Sequence, residues 1–513
     1  MFASTFTAEQ IRAAEAPLLA AQEFDDQLMQ SAAHAVAEVA ATMLDNGRVL
    51  VLAGPGGNGG DGLYAGAELL LSGRRVDAYL PAGKAHERTL QAFTAAGGAV
   101  LDHLPEYGYG LVIDAMTGIG ATGEPRDNLR PAIECANTLH AQVLAVDVPT
   151  GVEADTGTAA QCHIQADVTV TFGGWRRAHA LAPACGAQLL ADIGLPGKPL
   201  HETLGEQIAE WAGDGPPLLL ANRAVAPERT WPEDLYPLRQ APVLDIAPGA
   251  ADDKYSGGVV GIRAGSDGYP GAAVLSVAGA VNATPAMVRY AGPQAVEVVR
   301  AHPEVVVTHT LEDAGRVQAW VFGPGAGTGD DAARELQWVL EQDVPVLVDA
   351  DGLTLLTTHP DLRELVHGRS QATVLTPHDS EFARLCEAAG VGESDRMGET
   401  IALAQALGCT VVRKGRATVI AHEDDPHTAY AVDAGNSWAA TPGSGDVLSG
   451  IIGAHLALMQ AKSLGEEAAL SGAVTVHALA AKLAAATPFG DAAAPASRIA
   501  AHIRPATAAV AHA

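Results

Sequence analysis

The chain has 513 residues, with 31 Lys or Arg against 60 Asp or Glu and a formal net charge of −29. That balance repels phosphate backbones and anionic headgroups, so neither nucleic acid nor a membrane is an expected partner, although a small metabolite can bind locally. The five cysteines (Cys135, Cys162, Cys185, Cys386, Cys409) are odd in number, far apart and without a Cys-x-x-Cys pair, which argues against a disulfide framework or a zinc site.

Reduced cysteines fit a cytoplasmic chain. No charged N-terminal region leading into an apolar stretch and cleavage site is visible, and no apolar run reaches membrane-spanning length, so a soluble, unexported protein is expected. The spacing over residues 7–43 predicts two helices broken between Pro17 and Asp25, with Ile11, Leu18, Leu19, Leu28, Met29, Val36 and Val39 facing a core. Apolar runs at 48–52, 76–80, 111–114, 143–146, 168–172 and 188–191 then alternate with helical segments such as 62–72 and 87–96. Such βαβ rhythm predicts an α/β fold with a mainly parallel, doubly wound sheet.

Between 212 and 251 prolines accumulate (Pro216, Pro217, Pro227, Pro232, Pro237, Pro242, Pro248), marking a boundary region between a domain at 1–211 and another at 252–513. The second series of predicted strands covers 258–264, 295–299, 319–323, 344–349, 373–376, 410–413 and 418–421. Helices follow at 445–458 and 466–485, and one more short helix is expected in the Ala-rich tail past 487.

In the first domain, the turn Gly54-Pro55-Gly56-Gly57-Asn58-Gly59-Gly60-Asp61-Gly62 follows a strand and opens a helix, so its amides point to where a phosphate can lie. Asp114 and Asp147 end two other predicted strands. Either alone would ordinarily cap the next helix. With Asn58 and Thr150 they offer hard oxygen ligands for a monovalent or divalent cation and one carboxylate for proton transfer.

These three motifs, Gly-Pro-Gly-x-Asn-Gly-Gly-Asp-Gly, Asp-Ala-x-x-Gly-x-Gly from Asp114 and Asp-x-Pro-Thr-Gly from Asp147, resemble in order those of the NAD(P)H-hydrate epimerase family, over roughly residues 7–196. The resemblance implies a Rossmann-like domain that interconverts the C6 epimers of hydrated NADH and NADPH (NADHX and NADPHX), with potassium near the substrate. At matching positions it implies Asn58, Asp114 and Thr150 as potassium ligands. It implies substrate contacts at Gly57, Asn58, Gly59, Gly60, Asp61, Gly118, Ile119, Gly120, Ala121, Thr122, Gly123, Glu124 and Asp147, with Asp147 handling protons. Gly57 stands where the family usually has asparagine, and Thr150 where serine is common; threonine keeps the hydroxyl.

In the second domain, Thr441-Pro442-Gly443-Ser444-Gly445-Asp446 feeds an acidic residue into an apolar helix. Its amides and the helix start can hold an anion, with Asp446 beside it as a candidate base. Further ligand-facing turns are Gly265-Ser266-Asp267-Gly268-Tyr269-Pro270-Gly271-Ala272-Ala273, Gly323-Pro324-Gly325-Ala326-Gly327, Asp349-Ala350-Asp351, Thr376-Pro377-His378 and Arg413-Lys414-Gly415-Arg416-Ala417-Thr418. The set is similar to the ribokinase-like NAD(P)H-hydrate dehydratases from about residue 255 to 510. That resemblance implies hydrate contacts at Ala272, Gly325 or Gly327, His378 and Asp446, and nucleotide contacts at Lys414, Gly415, Arg416, Ala417, Thr418 and Gly445.

It further implies magnesium, consumption of ADP or ATP, and Asp446 as the base that activates the hydrate's hydroxyl. Members fused to an epimerase typically use ADP, which makes ADP the expected co-substrate. Departures are Asp379-Ser380 in place of Pro-Gly, and Pro442 and Ser444 in place of Gly and Met. Assembly as a homo-oligomer is also a family expectation. Two alternatives stay open from sequence: a second domain that phosphorylates a small hydroxylated metabolite, and a first domain that binds without catalysing.

Overall fold

Buried runs of Val, Ile, Leu and Ala between helices leave neither face of a sheet free for water, a pattern that parallel strands with crossover helices satisfy. The computed structural model, which describes residues 2–44, 46–211, 216–240, 243–284 and 286–511, contains two units built this way. One comprises Ala3–Ala221 with Ala226–Leu238; the other comprises Asn222–Val225 and Arg239–Ala513 with Phe2. Of the boundary span 212–251, residues 212–215 and 241–242, Pro242 among them, lie outside the described residues. Leu218–Arg223 and Leu235–Pro237 within that span are strands.

The first unit's sheet runs in the order Leu235–Pro237, Ala187–Ala191, Val168–Phe172, Gln142–Val146, Leu111–Ala115, Arg48–Ala53, Arg75–Tyr79 and Ala99–Val100. The edge strand Leu235–Pro237 is antiparallel to its neighbour and the other pairings are parallel. Chain order reverses between Arg48–Ala53 and Leu111–Ala115. At such a switch, successive loops leave in opposite directions and open a crevice at the strands' carboxyl ends. The helix Gly57–Leu71 starts there.

The second unit repeats the plan. Its strands run Val306–Thr308, Val288–Ala291, Val260–Arg263, Ala319–Phe322, Val346–Val348, Thr373–Leu375, Thr410–Arg413, Ala417–Ala421 and Thr428–Asp433. The first seven are mutually parallel and the last two add antiparallel. The switch lies between Val260–Arg263 and Ala319–Phe322. Helix Ser444–Lys462 crosses helix Pro270–Ala283 with backbones in contact: a Cβ at Gly279 would meet Val447 O at 2.2 Å, and one at Gly450 would meet Ser276 O at 2.0 Å. Helix Glu466–Ala485 is long and apolar enough to span a bilayer, contrary to expectation, yet 78% of its apolar window is buried inside the fold, as in a core helix.

Three local expectations change. The strand expected at 295–299 is the helix Ala295–Ala301, and the strand of that region is Val288–Ala291. In the helix Ala295 and Val298 are buried while Val296 and Val299 are exposed, a three-residue spacing hidden in a short β-branched run. Leu19 is 51% exposed. The helix Ala8–Ala20 continues through Pro17, and neighbouring residues point about 100° apart in a helix, so Leu18 takes the buried side. The tail holds two short helices, Ala496–Ala501 and Ile503–Ala511, rather than one.

The two glycines let helix Ser444–Lys462 lie directly against helix Pro270–Ala283. Gly450→Ala is therefore expected to destabilise the chain by about 1–3 kcal/mol, read by thermal unfolding. Gly271→Ala, on helix Pro270–Ala283 with nothing within 4 Å of the added Cβ, is expected to be neutral or stabilising. Equal losses from the two substitutions would contradict this packing.

Candidate active sites

At the first switch, the loops after Arg48–Ala53, Leu111–Ala115 and Gln142–Val146 surround a cavity of about 770 Å³. Of the expected substrate contacts, Gly57, Asn58, Gly59, Asp61, the seven residues from Gly118 to Glu124, and Asp147 line it. Gly60 does not. A Cβ there would meet Met29 Sδ at 2.6 Å, so this glycine serves the packing of helix Gly57–Leu71 on Gln27–Met43. A Cβ added at Gly57 would have nothing within 4 Å, so the family's usual asparagine there is not excluded by space.

The three expected cation ligands form one polar cluster. Asp114 Oδ2 accepts from the Thr150 amide and Oδ1 from the Thr150 hydroxyl, both at 2.7 Å. The Thr150 hydroxyl also lies 3.1 Å from Thr117 Oγ1. Asn58 Nδ2 donates to the carbonyls of Thr117 and Val146 at 2.8 Å, which fixes the amide so that its oxygen is the free end. Asn58 and Thr150 reach the cavity wall; Asp114 lies beneath it and is buried. Burial pushes the Asp114 carboxyl up to about 6 against the hydrogen bonds from Thr150 and Met116.

Asp147 follows strand Gln142–Val146 in the left-handed region, at φ 65°, a conformation that costs a non-glycine residue energy and concentrates at functional sites. Its Oδ1 accepts from Thr171 Oγ1 at 2.7 Å and pairs with Arg176 Nη2 at 3.0 Å, with both partners buried. Pairing of strand Ala3–Phe6 with Trp175–Arg176 fixes the arginine. Behind it, His179 Nδ1 accepts from the Arg176 amide at 3.0 Å and Nε2 donates to Asp147 O at 2.7 Å. That pattern requires a neutral ring, and burial with the Arg176 charge lowers His179 to about 4.

Sequence reasoning missed Arg176, Thr171 and His179, and also Arg12 and Glu15, which enter the cavity wall from helix Ala8–Ala20. An Arg-Arg pair within a segment, 168–184, that otherwise lacks Lys, Arg, Asp and Glu was the available signal for Arg176.

In the second unit, Asp446 lies in the first turn of helix Ser444–Lys462, after Gly443 at φ 83°. Lys414 Nζ pairs with Asp349 Oδ1 at 2.7 Å, and Ser449 Oγ donates to Asp349 Oδ2 at 2.6 Å. A Cβ on Gly445 would lie 3.6 Å from that Nζ, so the glycine turn and Lys414 are neighbours. Burial, then the Asp349 charge, pushes Asp446 up to about 7 against the pull of Lys414. Ser444, one of the departures, has Oγ 2.9 Å from His477 Nε2.

Gly325 at φ 61° packs on Ala272, whose Cβ would be 2.9 Å from an added Cβ, and the Gly327 amide donates to Asp351 Oδ2 at 2.8 Å. His378 caps helix Asp379–Ala389 and is half exposed. No hydrogen bond joins it to Asp446 among the described residues, but the Lys414 amide donates to Pro377 O at 2.8 Å and ties the two loops. Asp379, a departure, anchors Arg396 at 2.6 Å and Arg413 at 2.9 Å. Arg416 pairs with Asp433 at 2.8 Å. Thr418 is buried in strand Ala417–Ala421, with Oγ1 donating to Gly415 O at 3.3 Å.

Comparison with known proteins adds the family. Residues 25–178 match the family described as YjeF-related protein N-terminus, and residues 260–504 the family described as NAD(P)H-hydrate dehydratase. A bifunctional NAD(P)H-hydrate repair enzyme of Corynebacterium glutamicum is 44% identical over 98% of both chains, and one of Mycobacterium leprae 43% identical over 98% of both. A solved ADP/ATP-dependent NAD(P)H-hydrate dehydratase from Bacillus subtilis, co-crystallised with ATP/Mg2+, is 24% identical, covering 52% of this chain and 94% of that chain at TM-score 0.43. With near-complete coverage of both chains at this identity, the chain belongs to the family of bifunctional NAD(P)H-hydrate repair enzymes.

Proposed function

We propose that this chain repairs hydrated nicotinamide nucleotides. Residues 1–211 interconvert R- and S-NADHX and NADPHX, and residues 252–513, beyond the boundary at 212–251, dehydrate the S epimer to NADH or NADPH at the expense of ADP. The reading is supported above all by the first unit's cavity at its switch point, lined by most of the expected contacts, and by Lys414, Asp349 and the glycine turn before Asp446 meeting at one helix start in the second. A dehydratase that accepts one epimer needs a partner that converts the other, which gives the fusion a chemical reason.

In the second site, Asp446 takes the proton of the C6 hydroxyl as that oxygen attacks the terminal phosphoryl group. Lys414 and the amides of Gly443 and Gly445 stabilise the negative charge that develops. Elimination of the phosphorylated hydroxyl then restores the dihydropyridine, leaving AMP and phosphate when ADP is used. Ala272, Gly325, Gly327 and His378 contact the hydrate, and Lys414, Gly415, Arg416, Ala417, Thr418 and Gly445 the nucleotide. Among the described residues no group of three or more His, Cys, Asp or Glu could hold a metal; magnesium, which commonly binds through phosphates and one or two carboxylates, would enter with the nucleotide and supply positive charge at its phosphates.

In the first site, Asn58, Asp114 and Thr150 hold potassium. Their fit rests on an all-oxygen donor set and on the buried Asp114 carboxylate, which accepts from Met116 and Thr150 and, among the described residues, forms no ion pair. When bound, potassium supplies positive charge beside the substrate. Asp147 handles the proton. Five free cysteines support a cytoplasmic location, and a homo-oligomer is proposed on family resemblance.

Asp446→Asn is expected to lower nucleotide-dependent dehydration of purified S-NADHX by about 10²–10⁴-fold while interconversion of the epimers continues; unchanged dehydration would remove Asp446 as the base. The same variant has a pH signature in stability. With its carboxyl raised from the ordinary 3.8 to about 7, Asp446 favours folding least where it must ionise. The penalty is absent below the unfolded value, grows between 3.8 and about 7, and is complete above. The variant's gain in thermal midpoint over wild type is therefore larger at about pH 8 than at about pH 5. An equal gain at both would contradict the assignment.

A further inference from the structure

Resting on the epimerase reading of the first unit, we infer that Asp61 is a second catalytic carboxyl there, the acid that detaches the C6 hydroxyl, with Asp147 as the base that activates incoming water. Asp61 lies in helix Gly57–Leu71, is 8% exposed, and lines the same cavity as Asp147 and Glu15. Among the described residues its carboxyl accepts no hydrogen bond and forms no ion pair. Arg176, the buried cation of this region, is committed to Asp147. A buried carboxylate without partners is costly, whereas a carboxylic acid with its proton aimed into a cavity is not. Burial first, then the charges of Asp147 and Glu15, hold Asp61 well above the usual carboxylate range. Two carboxyls in one cavity, one paired with a buried arginine and one without a cation, form an acid and base pair.

The chemistry needs such a pair. C6 of the hydrate carries a hydroxyl and is bonded to the ring nitrogen. Asp61 gives its proton to the hydroxyl oxygen; the C6–O bond breaks, its electron pair leaving with water, and the nitrogen lone pair forms a C6=N iminium. Water adds to the other face of C6, the π pair returns to nitrogen, and Asp147 takes the proton that water loses. Transfer of that proton through solvent from Asp147 to Asp61 resets the site, so no oxidant or other co-reactant is used. The carboxylates of Asp147 and Glu15 stabilise the cationic iminium.

The test supplies the full chain with resolved S-NADHX in H₂¹⁸O with potassium but without ADP or ATP, so that dehydration is silent. Epimer ratio and C6 oxygen label are read by chromatography and mass spectrometry, after subtraction of the spontaneous reaction. Wild type is expected to exchange one oxygen per epimerisation. Asp61→Asn is expected to lower kcat by about 10²-fold or more with KM little changed, and to keep the wild-type thermal midpoint because a neutral amide replaces a neutral acid. Retention of the original oxygen by wild type, as in ring opening through an aldehyde, overturns the inference without needing any variant. Wild-type kcat in Asp61→Asn overturns it as well. A wild-type chain that does not interconvert the epimers at all removes the epimerase reading itself.

Discussion

Helix-covered parallel sheets leave their strands no wet face, so polar groups can gather only along the row of strand ends, and a crevice opens there only where chain order reverses. Both units obey this constraint. In one, the reversal lies between Arg48–Ala53 and Leu111–Ala115; in the other, between Val260–Arg263 and Ala319–Phe322. The first unit's polar residues, spread widely along the chain, line a cavity at its reversal, and in the second unit Lys414, Asp349 and Ser449 meet beyond the strand ends. The glycine-tight crossing of helices Pro270–Ala283 and Ser444–Lys462 packs the helix that carries Asp446 in its first turn, next to the Gly445 and Lys414 neighbours.

The two sites also share an electrostatic plan. Each has one buried carboxylate neutralised by a cation, Asp147 by Arg176 and Asp349 by Lys414, and beside it a carboxyl without an ion pair of its own, the buried Asp61 and the half-buried Asp446. The paired carboxylate raises its neighbour's proton affinity, and burial amplifies the effect because the field is poorly screened. Protons are thereby held on carboxyl groups without help from histidine. The two buried histidines next to these sites, His179 and His477, are both held neutral, at about 4, and act as hydrogen-bonding props.

Much of this is legible in the sequence because glycine turns, terminal aspartates and buried strands are local signals. The motifs containing Asn58, Asp114 and Asp147 mark the first candidate site, and those containing Lys414 and Asp446 the second. Partners that only the fold supplies are not legible. Arg176 stands out only as half of an Arg-Arg pair and Ser449 not at all, and their roles follow from a strand pairing and from one turn of helix. Glu15 and Arg12 look like the solvated face of an amphipathic helix, yet they enter the cavity wall. Gly60 shows the converse: a glycine inside a ligand-binding motif whose missing side chain is filled by Met29. The helix Ala295–Ala301 reads as a strand from sequence because so short a Val-rich run is too brief to reveal a period.

That one chain carries both activities is tested most directly by recovery of reduced-nicotinamide absorbance from a mixture of R- and S-NADHX with potassium, magnesium and ADP or ATP. Nucleotide-dependent recovery of the whole mixture, faster than spontaneous epimerisation allows, is the expected result. Recovery that stops at the S epimer's share would contradict the epimerase half, and a stable phosphorylated product without NADH would contradict the dehydratase half.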